Sequence, residues 1–464
     1  MYSTGPNEKL AVYLKNAELN LTAQPYLSFW ILPGTWAMFV VLTANSRKNP
    51  NGEEVMNDYI ELPINGLEPP LSEEERAIQE TTHRFAEDVL RPIGIELDKL
   101  PPAEVIAPES RMWEVLDKAK DLGLGVTATA DLEPVQRVRL LALASEELAW
   151  GDAGLAGAIL VNQFPVMYSM MAGNDEMVEY CDGKLGCWAI TEPDHGSDML
   201  DANGAIQDSQ GEYGRPNCVA RIDGDHVVIN GQKAAWPSGA LTAEVCALYC
   251  HADVEGSTSA GMAIIVPLDS DGVSRGQPLD KMGLRAMNQG ELFFDEVIVP
   301  TSHIIARPDT YQEHSYAMLS EANPQVALMF IGIARAAYDH ALAYAHERKQ
   351  GGVPIIQHSS VRYRLFHMFR KIEAARALTR RVLEYNVTAD RPALQGSCAA
   401  KITATQTAYE VASDALQIFG GNGMTKAFPM EKLLRDARSG LIADGCNEVL
   451  ALKGGSMLVN PALL

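Results

Sequence analysis

The residue types and spacings that could do chemistry fall in separated clusters. Near the C-terminus Asp444 is followed by Gly445, Cys446, Asn447 and Glu448. A carboxylate beside a glycine turn is either a general base or a polar cap on that turn. Far upstream runs Trp188-Ala189-Ile190-Thr191-Glu192-Pro193-Asp194-His195-Gly196-Ser197-Asp198. Pro193 and Gly196 demand a turn, and the hydroxyls and backbone N–H groups around them can meet polar oxygens of a ligand. A plain surface turn accounts for the same residues. In Gln417-Ile418-Phe419-Gly420-Gly421-Asn422-Gly423 the paired glycines permit positive φ and close backbone approach to a bulky ligand. A helix-ending turn would explain those glycines, but not their place just before Phe428–Asp436.

These clusters need a scaffold. Residues 1–70 form an extension closing with Leu62-Pro63 and Glu68-Pro69-Pro70. Ser72 then predicts an N-cap, with Glu75 at the capping-box position. Helical patterning continues through 85–90 and 112–122, over about Pro134–Ala149, and on to about Tyr180. Between 188 and 302, Gly, Pro and Asp punctuate short alternating or apolar runs, such as 226–231, 244–251, 261–267 and 291–300. Short strands with close turn signals predict an antiparallel barrel or sandwich. Long helical pattern returns from about 311 to 454, notably over 325–348, 361–385 and 399–419. The expected division is an extension (1–70), a helical domain (71–187), a β domain (188–302) and a second helical domain (303–464). Helices and strands are segregated, which predicts α+β rather than a doubly wound sheet.

Together the clusters resemble acyl-CoA dehydrogenases. In that family Arg-Asp-Ala-Lys/Arg leads to Glu-Gly-Thr, and an ungapped count from Arg435 places the catalytic carboxylate at Asp444, one methylene shorter than glutamate. Cys446 stands where the family has Thr, and Glu448 where Gln is frequent; both are expected beside the flavin. Residues 191–198 resemble the family's Thr-Glu-Pro-x-x-Gly-Ser-Asp signature. By that resemblance Trp188, Ile190 and Thr191 would contact the flavin, and Gly196 and Ser197 would lie near flavin and acyl-CoA. Asn230–Gly239 is similar to Gly-x-Lys-x-Trp-Ile-Ser/Thr-Asn, which gives Trp236, one residue late, the aromatic contact and Ser238 the hydroxyl contact. Lys281–Ala286 and Phe293–Pro300 look like the end of the family's β domain.

Ala341–Arg348 resembles the helix whose arginine reaches the flavin diphosphate, a task suited to a planar guanidinium fork. A solvated helix-end arginine is the alternative. The family's Phe-Gly after this arginine is Gly351-Gly352 here. Gln417, Gly420 and Gly421 would meet the FAD of a neighbouring subunit, which implies a homodimer or homotetramer. The resemblance covers roughly residues 71–455. It implies an N-terminal helical domain, a middle antiparallel β domain and a C-terminal four-helix bundle. The implied activity is FAD-dependent dehydrogenation of an acyl-CoA in fatty acid metabolism, with electrons passed to an electron-transfer flavoprotein.

That reaction removes a weakly acidic α-proton while a hydride leaves the β-carbon. It needs a carboxylate of raised pKa in a dry pocket and donors on the thioester oxygen. Asp444 fits the base role, its own N–H serves as an oxyanion donor by family analogy, and Ser197 joins it on the substrate side. An error of about 1 Å can cost about 100-fold in rate, so the shorter carboxylate requires compensation. Some relatives with Asp-Gly here are still dehydrogenases. Others place the base on an earlier helix; counting back from Gly332 gives Ala322, with Glu321 adjacent but out of register. A flavin oxidase with an Asp base, a non-oxidative acyl-CoA lyase and a non-catalytic scaffold are the competing readings.

Bulk composition narrows the rest. The 464 residues are 47% hydrophobic and 21% charged, an ordinary globular balance. A formal charge of −22 disfavours nucleic acid and anionic membranes as general partners. Cysteines 181, 187, 218, 246, 250, 398 and 446 are scattered without a Cys-x-x-Cys pair, which predicts buried free thiols and no metal site. The start lacks a signal-peptide pattern, so a cytoplasmic location is expected. Tyr26–Leu42 is strongly apolar but broken by Pro33-Gly34, and reads as a turn-linked segment packed on the body or a partner, with membrane-surface contact as the minor alternative.

Overall fold

The computed structural model describes residues 69–200 and 215–460, together with 66–67 and the strand backbones 28–30 and 39–41. The chain divides into two units, 1–67 and 68–464. In the first, β1 (Ser28–Trp30) pairs antiparallel with β2 (Phe39–Val41). The rest of the apolar stretch 26–42 lies outside the described residues.

The second unit opens on helices. Ser72 caps α1 (Glu73–Phe85), and the reciprocal Ser72–Glu75 capping box is present. A short π-helical turn over 86–90 leads into α2 (Arg91–Leu97), followed by α3 (Pro102–Val105), α4 (Arg111–Lys120), α5 (Pro134–Gly151), α6 (Ala153–Val161), α7 (Phe164–Met171) and α8 (Asp175–Cys181).

The sheet region follows: β3 (Gly186–Ala189), β4 (Cys218–Asp223), β5 (His226–Lys233), β6 (Val245–Val254), β7 (Ser257–Pro267), β8 (Val273–Arg275), β9 (Leu292–Pro300) and β10 (Ile304–Ala306). The strand order is β10-β7-β6-β4-β5-β9-β8, with β3 also paired to β6. This sheet is mixed, which corrects the expectation of a wholly antiparallel domain. β3 and β4 both run parallel to β6, end to end along one edge: Gly186–Ala189 pairs with Val245–Leu248, and Val219–Arg221 with His251–Asp253. Short-range turn signals report hairpins, not pairings made across a long connection. The break between β3 and β4 is where the Thr191–Ser197 segment leaves the sheet.

The C-terminal part is helical. α9 (Tyr311–Glu347) is the central rod, followed by a β11 (Lys349–Gln350) and β12 (Val353–Pro354) hairpin, α10 (Ser359–Thr388), α11 (Leu394–Phe419), α12 (Met430–Ser439) and α13 (Asn447–Val459). α9 packs against α5, α10 and α11. A buried ion network fastens the two helical regions together. Glu147 accepts from Gln79, His83 and Arg335, while Glu146 accepts from Arg335, Arg376 and Arg380. Burial alone would raise the Glu146 carboxyl, but Arg376, Arg335 and Arg380 hold it well below the usual carboxylate range. Removing one partner of such a network strands a buried charge and is strongly destabilising.

Candidate active site

The turn between α12 and α13 carries Asp444, held in the left-handed region at φ 52°. Asp is among the few residues that occupy this region without a large steric cost. Gly445 follows at φ 92°, and a side chain there would come within 2.6 Å of Leu200. The turn is pinned from α11 by Lys401, whose buried Nζ donates to the carbonyls of Gly440 (2.8 Å) and Gly445 (2.7 Å) and to Asn447 Oδ1 (2.9 Å). Burial lowers the Lys401 ammonium to about 8, against the charges of Asp444, Cys446 and Glu448. Burial raises the Asp444 carboxyl above its ordinary value, and Lys401 works in the opposite direction.

The upstream signature meets this turn directly. Cys446 N–H donates to Ser197 Oγ at 3.0 Å. The segment is braced by a fully buried pair in which Lys233 Nζ donates to Glu192 Oε1 (2.6 Å) and to the Ile190 carbonyl (2.9 Å). Ala234 N–H donates to the Thr191 carbonyl at 3.0 Å. Asp198 caps the turn by accepting from Gly196 N–H, and its other carboxylate oxygen meets His195 Nδ1 at 2.9 Å. Ser238 bridges Trp188 and Gln289 through isolated backbone pairings, and Ser238 Oγ accepts from Gln289 Nε2 at 2.9 Å. Trp236, 55% exposed, leaves its ring open to a ligand. Trp188, Ile190, Thr191, Gly196, Ser197, Trp236 and Ser238 thus share one region, and Ser197 ties it to Asp444 and Cys446. Glu448 lies in the exposed first turn of α13.

A second set lies elsewhere. Arg348 is exposed at the C-cap of α9, and Gln417, Gly420 and Gly421 are exposed where α11 ends. The structure brings these together: Tyr344, one turn before Arg348, stacks on Phe419 (ring centroids 4.0 Å) and its hydroxyl accepts from Asn422 Nδ2 at 2.8 Å. Lys401 and Phe419 both lie on α11, so this set is about 27 Å from the Asp444 turn at 1.5 Å per residue.

Sequence reasoning missed several residues of the site. Lys401 and Tyr168 carry no local signal, and although Glu192 and Lys233 fall inside the two sequence signatures, their pairing as a brace is a tertiary contact that neither signature shows. Glu321, out of register in the sequence, lines a cavity of about 100 Å³ between α5–α7 and α9, whose wall includes Leu148, Leu160, Phe164, Met167 and Met329. Phe164 touches Trp188 edge-on at 5.6 Å. Burial raises the Tyr168 phenol well above its ordinary value, and the charges of Asp444 and Glu321 push the same way.

The residues fit a flavin. Trp188 Nε1 is buried with no hydrogen-bond partner, a donor left for a ligand oxygen. At Gly420 (φ 59°) and Gly421 no heavy atom lies within 4 Å of where a side chain would begin, so the turn backbone is open to close approach.

Comparison with known proteins agrees. The acyl-CoA dehydrogenase middle-domain model matches residues 187–297, and the C-terminal-domain model matches 315–455. The mitochondrial short-chain specific acyl-CoA dehydrogenase of Rattus norvegicus is 28% identical over 396 residues, covering 82% of this chain and 89% of that protein. Benzylmalonyl-CoA dehydrogenase of Aromatoleum aromaticum is 29% identical over 390 residues, covering 82% and 97%. The structure of butyryl-CoA dehydrogenase from Megasphaera elsdenii superposes with a TM-score of 0.74 at 26% identity, covering 85% of this chain and all of that one. Family models on both sides of the Ser197–Cys446 contact, and relatives spanning most of the chain, establish membership: this protein belongs to the acyl-CoA dehydrogenase family of FAD-dependent oxidoreductases.

Proposed function

We propose that the chain dehydrogenates an acyl-CoA thioester across its α,β-bond, with Asp444 as the base. One observation carries the reading: the Asp444 carboxyl is raised by burial, accepts no hydrogen bond among the described residues, and sits beside the Ser197–Cys446 junction. A carboxylate without competing donors keeps its basicity for a carbon acid. The turn's backbone bonds use the N–H groups of Ile442, Ala443 and Asn447 as donors, leaving that of Asp444 for the thioester oxygen as charge develops. Lys401 fixes the turn, and its charge opposes the rise that burial imposes on the Asp444 carboxyl. When bound, FAD would supply the hydride acceptor, and the electron acceptor we propose for the enzyme is an electron-transfer flavoprotein.

Trp188, Ile190, Thr191, Trp236 and Ser238 are assigned to the flavin ring, with Cys446 and Glu448 at its border. Arg348, Gln417, Gly420 and Gly421 are assigned to the FAD of a second copy. Their exposure and their distance from Asp444 along α11 support a shared site in a homo-oligomer.

Asp444→Asn should retain FAD and lose at least about 100-fold in the anaerobic rate of flavin bleaching by acyl-CoA, since one proton-transfer group contributes about 10²–10⁴. Near-normal bleaching in that variant would remove Asp444 from the mechanism. The acceptor is tested separately by re-oxidation, expected to be slow in air and fast with an electron-transfer flavoprotein.

A further inference from the structure

The cavity between α5–α7 and α9, which borders Trp188 through Phe164, is not a plain hydrocarbon slot. Its wall is mostly apolar, yet Glu321 enters it from α9 with Gln325 one turn on. Gln325 Nε2 donates to Glu321 Oε1 at 2.8 Å, and Gln325 Oε1 is buried with no partner. Burial raises the Glu321 carboxyl, opposed by the Gln325 hydrogen bond and the charge of Arg137. A polar pair in an apolar cavity is costly unless its remaining hydrogen-bonding capacity is met. The other amide of this wall, Gln163, is already used: its Oε1 accepts from Val126 N–H at 3.1 Å. Glu321 and Gln325 thus face the cavity with capacity to spare, and we infer that this cavity receives the acyl tail.

We propose that Glu321 and Gln325 select an acyl-CoA whose tail carries a hydroxyl group beyond the reacting carbons. A hydroxyl both donates and accepts, so it satisfies the pair in either orientation of the Gln325 amide and with Glu321 charged or neutral. A bare methylene chain would cover the pair without bonding it, and a site built for a hydroxyl rejects the analogue lacking it. This assignment rests on the acyl-CoA reading of the same site.

The test compares matched acyl-CoA pairs, equal in carbon number, with and without a tail hydroxyl. Two readouts apply: kcat/KM for anaerobic flavin bleaching, and Kd by calorimetry for 3-thia analogues, in which sulfur replaces the carbon that would lose hydride. The hydroxylated chain is expected to be favoured by about 10-fold or more in both, the scale of one hydrogen bond to a charged group. In Glu321→Leu and Gln325→Leu the preference should vanish or reverse, because the plain chain gains apolar wall while the hydroxyl loses its partners. Equal or better performance of plain chains with the native protein overturns the inference and leaves the dehydrogenase reading intact. Loss of bleaching by both chains alike in Glu321→Leu, with FAD and thia-analogue binding retained, would make Glu321 the base and overturn it too. Bleaching by no acyl-CoA at all overturns both readings.

Discussion

At Asp444 the shortened side chain and the backbone conformation belong together. The carboxylate sits at φ 52°, a region that aspartate enters more readily than most non-glycine residues. The charge balance around it has a sign that can be checked. Proton abstraction requires the carboxylate form, so the acid limb of the pH–rate profile follows the Asp444 pKa. Burial raises that pKa and Lys401 lowers it. Lys401→Met removes the lowering charge and should move the acid limb to higher pH, with slower bleaching near neutrality. An unmoved limb in a variant that still binds FAD would show that Lys401 acts only as a clamp. In stability the Lys401 sign is the reverse of the usual lysine. Its folded value, about 8, lies below the ordinary 10.5, so the unfolded chain holds more protons between them and stability rises with pH through that window. The sequence could place Asp444 through Arg435-Asp436-Ala437 and Gly445, which are local. It could not place Lys401, whose partners lie 39 to 44 residues away, and it named Glu321 without showing the cavity that the residue lines.

At the scale of elements, α9 shows what a helix does with an internal proline. The helical pattern expected from about 311 is one helix, unbroken from Tyr311 through Pro324 to Glu347. Proline removes the hydrogen bond to the carbonyl four residues earlier. That carbonyl, Ser320, is met by Asn386 Nδ2 (3.0 Å) from α10 and Ser397 Oγ (2.8 Å) from α11. Neighbouring helices therefore supply what the proline withdraws, information that no window around Pro324 contains. Ser397→Ala and Asn386→Ala should each cost about 1–3 kcal/mol, the penalty for a buried acceptor losing a donor. Urea unfolding would read this, and near-neutral singles with a costly double variant would mean that one donor suffices. The Gly351-Gly352 departure has a comparably local cause. Both residues have positive φ (63° and 84°) and form the two-residue turn of the β11–β12 hairpin, the conformation that favours paired glycines.

At the scale of the molecule, the flavin assignments divide between the two ends of α11. Thr191, Ser197 and Asp444 gather at the Lys401 end, while Arg348 and Gln417–Gly421 gather at the Phe419 end. In a shared site, Asp444 of one copy works with Arg348 of another. Arg348→Glu should then weaken FAD retention, and Asp444→Asn should block bleaching, each as a homo-oligomer. Co-expressed, the two variants make mixed pairs in which one site inherits Asp444 from the first chain and Arg348 from the second, so it is native in both. The other site carries both defects. Mixed pairs purified with two different tags should regain about half the native bleaching amplitude, each intact site contributing independently. A site assembled within one chain has no such route, and mixed pairs would then stay as inactive as their parents. The sequence resemblance named both clusters and implied a neighbouring subunit, and the length of α11 between them supplies the geometric reason that two chains are needed.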